Sequence, residues 1–129
     1  MKILQHKIVQ AFKASEKVID NENLPNDVLW KIYKIRHIMM PSIEFQDVRE
    51  NAIRNKYAAY LNDKGELAGA LYNEYLNELR ELGNMEVEVE LERRVRIEYK
   101  PEYGFTIREI EALEDFIDFD LERVCKSDE

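Results

Sequence analysis

The sequence predicts a mainly α protein in which three to five helices pack on a minor β element. Over most of the chain, apolar residues recur every three or four positions, which is the period of an amphipathic helix. Residues 85–99 instead alternate apolar and charged side chains, which is the period of a strand. Turn-forming residues around Gly65 and Gly104 separate these segments.

Residues 1–4 can form a short strand, and a helix is predicted from there to about Ile19. Its apolar face contains Leu4, Ile8, Val9 and Phe12. The dipeptide Leu24-Pro25 then opens a second helix, because proline and the short polar residues that follow it suit a helix start. The buried face of this second helix contains Ile32, Ile35 and Met39.

Pro41 interrupts the second helix, and we predict a break or kink near Met40. Proline lacks the N–H that a helix interior uses, and its ring disfavours a helical residue before it. A new helix from Ser42 then runs to the turn Asn62-Asp63-Lys64-Gly65, and the helix after the turn would be antiparallel to it. That next helix ends at Gly83-Asn84, residues typical of a left-handed C-cap.

The alternating stretch is too long for one ordinary strand, so it is expected to bend or divide near Glu92. Because its neighbours are predicted to be helical, it has few strand partners in its own chain beyond residues 1–4. We therefore predict that it joins subunits. The assigned interface residues are Val87, Val89, Leu91, Arg93, Val95 and Ile97.

Arg93 breaks the alternation and is expected to point to the apolar face. A cation there requires a carboxylate or an anionic ligand. The half of the stretch before Arg93 is rich in glutamate, and the half after it is rich in arginine. Two copies paired antiparallel across a two-fold axis near Glu92 would therefore match opposite charges.

The chain after the alternating stretch is predicted to turn and then form a last helix. The turn is Pro101-Glu102-Tyr103-Gly104, and Thr106 with Glu109 has the spacing of a capping box. The apolar face of this helix contains Ile110, Leu113, Phe116 and Ile117. Beyond Asp118 the helix either continues or frays. Residues 1–125 are thus expected to be one domain, followed by a polar tail, residues 126–129.

Composition limits the class of protein. The 129 residues carry a net charge of −8, although residues 1–60 hold ten Lys or Arg against seven Asp or Glu. The overall charge argues against binding to duplex nucleic acid, which needs many clustered cations. A single cysteine, Cys125, excludes an intrachain disulfide, and no stretch has the length of a signal peptide or membrane helix. These features predict a soluble cytoplasmic protein.

No motif for catalysis or metal binding is present. The sequence has no zinc-ligand spacing, no nucleophile elbow and no phosphate-binding glycine loop, so we expect no enzyme activity and no cofactor. Cations could instead meet aromatic walls in an anion pocket, with Tyr57 as one possible wall. The residues assigned to this pocket are Tyr33, Arg36, Arg49, Arg54, Arg93 and Arg96. The alternative is that they are helix-surface cations with acidic neighbours.

The order of these parts resembles a family of small uncharacterised bacteriophage proteins. The resemblance runs from about Phe12 to Asp118, and its most specific parts are the tract from Met85 to Leu91 and the helix start from Thr106 to Leu113. It implies a viral origin and supplies no catalytic residue. Arg93-Arg94-Val95-Arg96 is more basic than this family leads us to expect.

The expected function is that of a non-enzymatic phage accessory protein that acts by binding in the infected host cell. It would counter host defence, either by blocking a defence protein or by sequestering a nucleotide immune signal. The alternative is an assembly factor for the virion or tail. The expected partners are a second copy of the chain, a host or phage protein, or a small anionic nucleotide, and no membrane.

The oligomer hypothesis predicts a mass above the 15.4 kDa of one chain in light scattering across the micromolar range. Matching of opposite charges along the paired stretches would hold the copies together, so the mass should fall as salt is added. A mass of one chain at every concentration would rule the oligomer out.

Overall fold

The computed structural model describes residues 1–120, which contain four α-helices and four short strands. The helices are α1 (Gln5–Ile19), α2 (Asn26–Ala58), α3 (Gly69–Gly83) and α4 (Ile107–Leu113). The strands are β1 (Lys2–Leu4), β2 (Glu86–Glu88), β3 (Val95–Arg96) and β4 (Ile117–Asp118), and a 3-10 turn covers Pro101–Tyr103. The predicted mainly α class is confirmed. Cys125 and the tail 126–129 lie outside the described residues.

Most of the apolar core lies in a body formed by α1, the first half of α2, the strands and α4. Side chains with no more than 1% exposure in this core are Ile8, Ala11, Ile32, Ile35, Met39, Ile97, Leu113, Phe116 and Ile117. Phe105 contacts Tyr103 and Phe119 edge-on, at ring-centroid distances of 6.3 and 5.2 Å. Burying each large apolar side chain contributes about 1.5 to 3 kcal/mol, so this core is the main source of stability.

The alternating stretch forms two strands in two different sheets. β2 pairs antiparallel with β1, where Val87 lies opposite Ile3, and β3 pairs parallel with β4, where Val95 lies opposite Ile117. The predicted division is confirmed, and so is the pairing with the first residues. The expected shortage of partners is wrong, because the last helix ends at Leu113 and the buried, β-favouring residues after Asp115 form a strand.

The assigned interface residues largely pack in the chain's own core. Val89 and Ile97 are buried, and Val87, Leu91 and Val95 are half-buried against the same cluster. Arg93 is exposed and does not face the apolar side, because the strand geometry stops between β2 and β3 and the alternation of side chains stops with it. The exposed Arg93 guanidinium therefore requires neither a buried carboxylate nor an anionic ligand. Oligomerisation itself stays a prediction.

Pro41 does not break α2, so the predicted break is wrong, whereas the alternative of a kink stays a prediction. The helix is 33 residues long and contains Pro41. Met39 and Ser42 on either side are buried, and Gln5 Nε2 donates hydrogen bonds to Ser42 O (2.8 Å) and Gln46 Oε1 (3.1 Å). Packing against α1 therefore outweighs the local cost of the proline, which leaves one carbonyl of the helix without its usual donor.

The connection between α2 and α3 forms as predicted. Asn62 Oδ1 accepts hydrogen bonds from the N–H groups of Lys64 and Glu66, both at 2.9 Å. Gly65 has φ of 74°, in the left-handed region that glycine occupies at little cost. This short turn brings α3 back along α2.

The predicted C-cap of α3 is wrong, whereas the predicted capping box of α4 is confirmed. The left-handed cap at Gly83-Asn84 is wrong, since Asn84 has φ of −89°. Gly83 instead allows close approach to α1, because an added Cβ would lie 3.3 Å from His6 Cβ. The capping box is confirmed, with Thr106 Oγ1 accepting from Glu109 N–H and Glu109 Oε1 accepting from Thr106 N–H.

Replacing the internal proline should stabilise the protein. Pro41 is exposed, and proline in a helix interior costs about 3 kcal/mol relative to alanine. We expect Pro41→Ala to raise the free energy of unfolding in urea by about 1 to 3 kcal/mol, because it restores the missing N–H. Met40→Ala, at a 42% exposed neighbour, is the control and should change it by less than about 0.5 kcal/mol. Destabilisation by Pro41→Ala would contradict this account.

Candidate binding site

The second half of α2 and α3 form a two-helix arm with a small apolar cluster of its own. Ile53, Tyr57 and Leu82 are buried in this cluster. The half-buried side chains that pack on it are Leu67, Leu71, Tyr75 and Leu79. A pair of helices buries only the side chains at their shared seam, so the outer faces of the arm contact solvent.

Contacts across the seam show that the two helices are antiparallel, as predicted. Lys56 Nζ lies 2.7 Å from Glu78 Oε1, and the rings of Tyr57 and Tyr75 meet edge-on at 5.6 Å. The hydrogen bond from Lys56 lowers the pKa of the Glu78 carboxyl and raises that of the Lys56 ammonium. Burial raises the pKa of the Tyr57 hydroxyl. The ion pair and the ring contact thus mark the register of the two helices.

A cavity of about 540 Å³ opens at the end of the arm nearest the turn. Its main walls are Arg54, Tyr57, Leu61, Leu67, Tyr72 and Tyr75. Three of these side chains are tyrosines, which offer both a flat apolar ring and a hydroxyl group. Arg54 and Glu66 are the charged residues of the lining. Its volume lies in the range of sites that hold small molecules or inserted side chains.

Two of the side chains that line this cavity are large, apolar and about half exposed: Leu61 at 46% and Tyr72 at 49%. Tyr60, next to Leu61 in the chain, is 60% exposed. Exposed apolar side chains beside a cavity often mark a binding surface, and tyrosine is enriched among residues that dominate binding energy. We call the cavity and these three side chains the arm tip.

The other cavity of similar size lies in the body, between α2 and β2. It measures about 460 Å³ and has mostly apolar walls, among them Pro41, Phe45, Val87 and Val89. Gln5 also lines it, and Gln5 Oε1 is buried without a hydrogen-bond partner in the described chain. A single water molecule in such a space can satisfy an amide oxygen, so this cavity needs no ligand.

The six residues assigned to an anion pocket are not brought together. Arg36 lies over the Phe12 ring, 4.2 Å from its centroid, and donates to Ser15 Oγ at 2.7 Å, which is a packing role. Tyr33 is stacked on Trp30 at the start of α2. These residues lie in the body, far along the helix from the arm.

The remaining four assigned residues also lie in different places. Arg49 borders a small cavity with Glu78, and Arg54 lines the arm tip. Arg93 is exposed, and Arg96 pairs with Asp120 at 2.8 Å. Because α2 is continuous, its arginines are spread along one rod rather than folded together. Arg54 and Tyr57, one of the combinations considered from the sequence, do share a cavity.

Sequence reasoning missed Tyr72 and Leu61. The sequence does carry a signal for these two residues. The segments beside the turn contain more large apolar residues than the seam between two helices can bury. In addition, Tyr72 and Tyr75 are three positions apart, so they lie on neighbouring faces of α3 and border the same cavity.

The described residues show neither a metal site nor a membrane helix. Within residues 1–120, no three His, Cys, Asp or Glu side chains are grouped to hold a metal ion. No helix of that part is long and apolar enough to cross a bilayer. No known protein family, curated protein or solved structure matches the chain. The bacteriophage resemblance therefore stays a prediction that rests on the quoted residues.

The Lys56 and Glu78 pair predicts a pH dependence of stability. A carboxyl whose pKa is lowered by folding stabilises the protein above its unfolded pKa, and the contribution is lost as pH falls through the folded value. Glu78→Gln should therefore be less stable than the wild type at pH 7. The difference in urea midpoint should shrink at acidic pH, where Glu78 is protonated. A difference that is the same at both ends of the titration would contradict this role.

Proposed function

We propose that this protein acts by binding a partner, without catalysing a reaction, and that the arm tip is its binding site. The observation that carries the proposal is the tyrosine-lined cavity bordered by the exposed Leu61 and Tyr72, next to the exposed Tyr60, on an arm only two helices thick. Covering these side chains would remove apolar surface from water, which is the main driving force of association.

The composition of the arm tip favours a protein partner. Arg54 is accompanied by Glu66, so the lining offers little net positive charge to a ligand with several phosphates. The apolar and tyrosine walls instead suit an aromatic or aliphatic side chain inserted from another protein. We propose that such an anchor occupies the cavity while the exposed rings surround it.

The biological role that we propose is the one expected from the bacteriophage resemblance. A phage accessory protein with this surface would block a host defence protein and so counter immunity. The alternative role is assembly of the virion or tail, in which the partner would be a phage structural protein. Both roles use the same surface and differ in the identity of the protein bound.

A second candidate function is sequestration of a nucleotide immune signal. Arg54 beside Tyr57 and Tyr72 favours it, because a base can stack on a tyrosine ring while the guanidinium contacts a phosphate. Cyclic or ADP-ribose-type nucleotides would then raise the melting temperature of the protein. The nucleotide should be recovered intact after denaturation, whereas an altered nucleotide would indicate an enzyme.

The arm tip can be tested by paired capture experiments. We expect the double variant Leu61→Ala, Tyr72→Ala to lose partner binding by at least about tenfold, because it removes two anchor side chains. Both residues are largely exposed, so the melting temperature should change little. The measurement is quantitative mass spectrometry of proteins retained by the tagged wild type and variants from a lysate of the cells that make it.

The matched control is Tyr33→Ala, which removes an equally exposed tyrosine from the body. A protein retained by the wild type and the control but lost by the double variant supports the proposal. The partner's identity then separates a host defence protein from a virion protein. Equal retention by all three proteins would refute the arm tip as the site.

A further inference from the structure

An aromatic pair lies exposed at the start of α2, away from the arm tip. The rings of Trp30 and Tyr33 are 5.8 Å apart and inclined by only 16°, so they are stacked. Each residue is 57% exposed, which is high for side chains of this size. Lys34 Nζ lies over the tryptophan ring, 5.4 Å from its centroid. The pair therefore presents apolar surface beside a cation. We call it the aromatic platform.

The surroundings of the platform are basic although the chain as a whole has a charge of −8. Residues 28–43 contain no Asp or Glu but include Lys31, Lys34 and Arg36. Lys31 Nζ donates a hydrogen bond to the Arg96 carbonyl oxygen at 3.1 Å, which brings β3 to this side of the helix. Lys31 and Lys34 are thus the cations that α2 supplies next to the two rings.

Acidic groups also lie near the platform. Asp27 is one helical turn before Trp30, and the carboxylates of Asp120, Asp118 and Glu98 raise the pKa of the Arg96 guanidinium, whose side chain is 68% exposed. An exposed guanidinium in such a pair can exchange partners at little cost, because surface ion pairs contribute little. Lys34, which lies over the tryptophan ring, is therefore the cation placed to contact an anionic ligand on the platform.

We propose that the platform binds single-stranded nucleic acid. Bases would stack on the exposed surfaces of Trp30 and Tyr33, while phosphates contact Lys34 and Lys31. Stacking tolerates any base, so the binding would depend little on sequence. A duplex fits less well, because its bases already stack on one another and a small group of cations neutralises few of its phosphates.

This site is independent of the arm tip. Tyr33 and Arg54 lie on the same helix, and at 1.5 Å per residue the 21 positions between them span about 30 Å. Loss of either binding activity should therefore leave the other in place. The two proposals can fail separately.

Trp30 is the chain's one tryptophan, so its fluorescence reports directly on the platform. We expect an unstructured 12-nucleotide oligothymidine to quench this fluorescence at low salt and to bind less tightly as salt is raised. A labelled oligonucleotide followed by anisotropy gives the affinity of variants. Tyr33→Ala and Trp30→Ala should each weaken binding by about tenfold, the range expected for loss of one stacked base.

Phe45→Ala, which removes a 42% exposed aromatic side chain of α2 outside both proposed sites, is the control and should bind as the wild type does. A duplex of the same length should bind more weakly than the single strand. The proposal is overturned if the wild type gives no anisotropy change at low salt, if the platform variants bind equally well, or if the duplex binds as tightly. Quenching by an acidic peptide alone would also overturn it and assign the platform to a protein partner.

Discussion

The continuity of α2 through Pro41 is the constraint on which the rest of the structure depends. Its first half packs into the body core through Ile32 and Ile35, and its second half supports the arm through Ile53 and Tyr57. A break at the proline would leave the arm free to fold back and bury its apolar side chains on the body. Because the helix is unbroken, the two apolar clusters stay separate, and each keeps its own exposed surface.

The exposed surfaces differ in chemistry because they lie on different parts of this rod. Near the body, α2 carries cations and the stacked Trp30 and Tyr33, and it contacts the arginine-containing strand β3 through Lys31. At the far end, two helices without a third layer cannot bury all of their tyrosines and leucines. One surface suits an anionic ligand with flat groups, and the other suits an apolar anchor.

Features that depend on a few neighbouring residues were predictable. The turn after Asn62 follows from an amide side chain and a glycine within four positions, and the capping box at Thr106 follows from two polar residues three positions apart. The amphipathic period likewise predicted the helices and most of their buried residues. For the site, the sequence indicated that Arg54 and Tyr57 could meet, since both lie on one helix within a single turn.

The sequence by itself determined where the helices and turns begin and that the alternating stretch has an apolar face, but not that α2 continues through Pro41 or that the last helix stops before β4. The tertiary structure decided what covers that face, because β4 and the body core come from distant positions whose pairing no local pattern encodes. Packing on α1 likewise held α2 together through Pro41, and the bend between β2 and β3 turned Arg93 to solvent. In each case, long-range contacts outweighed a local preference of a few kcal/mol or less.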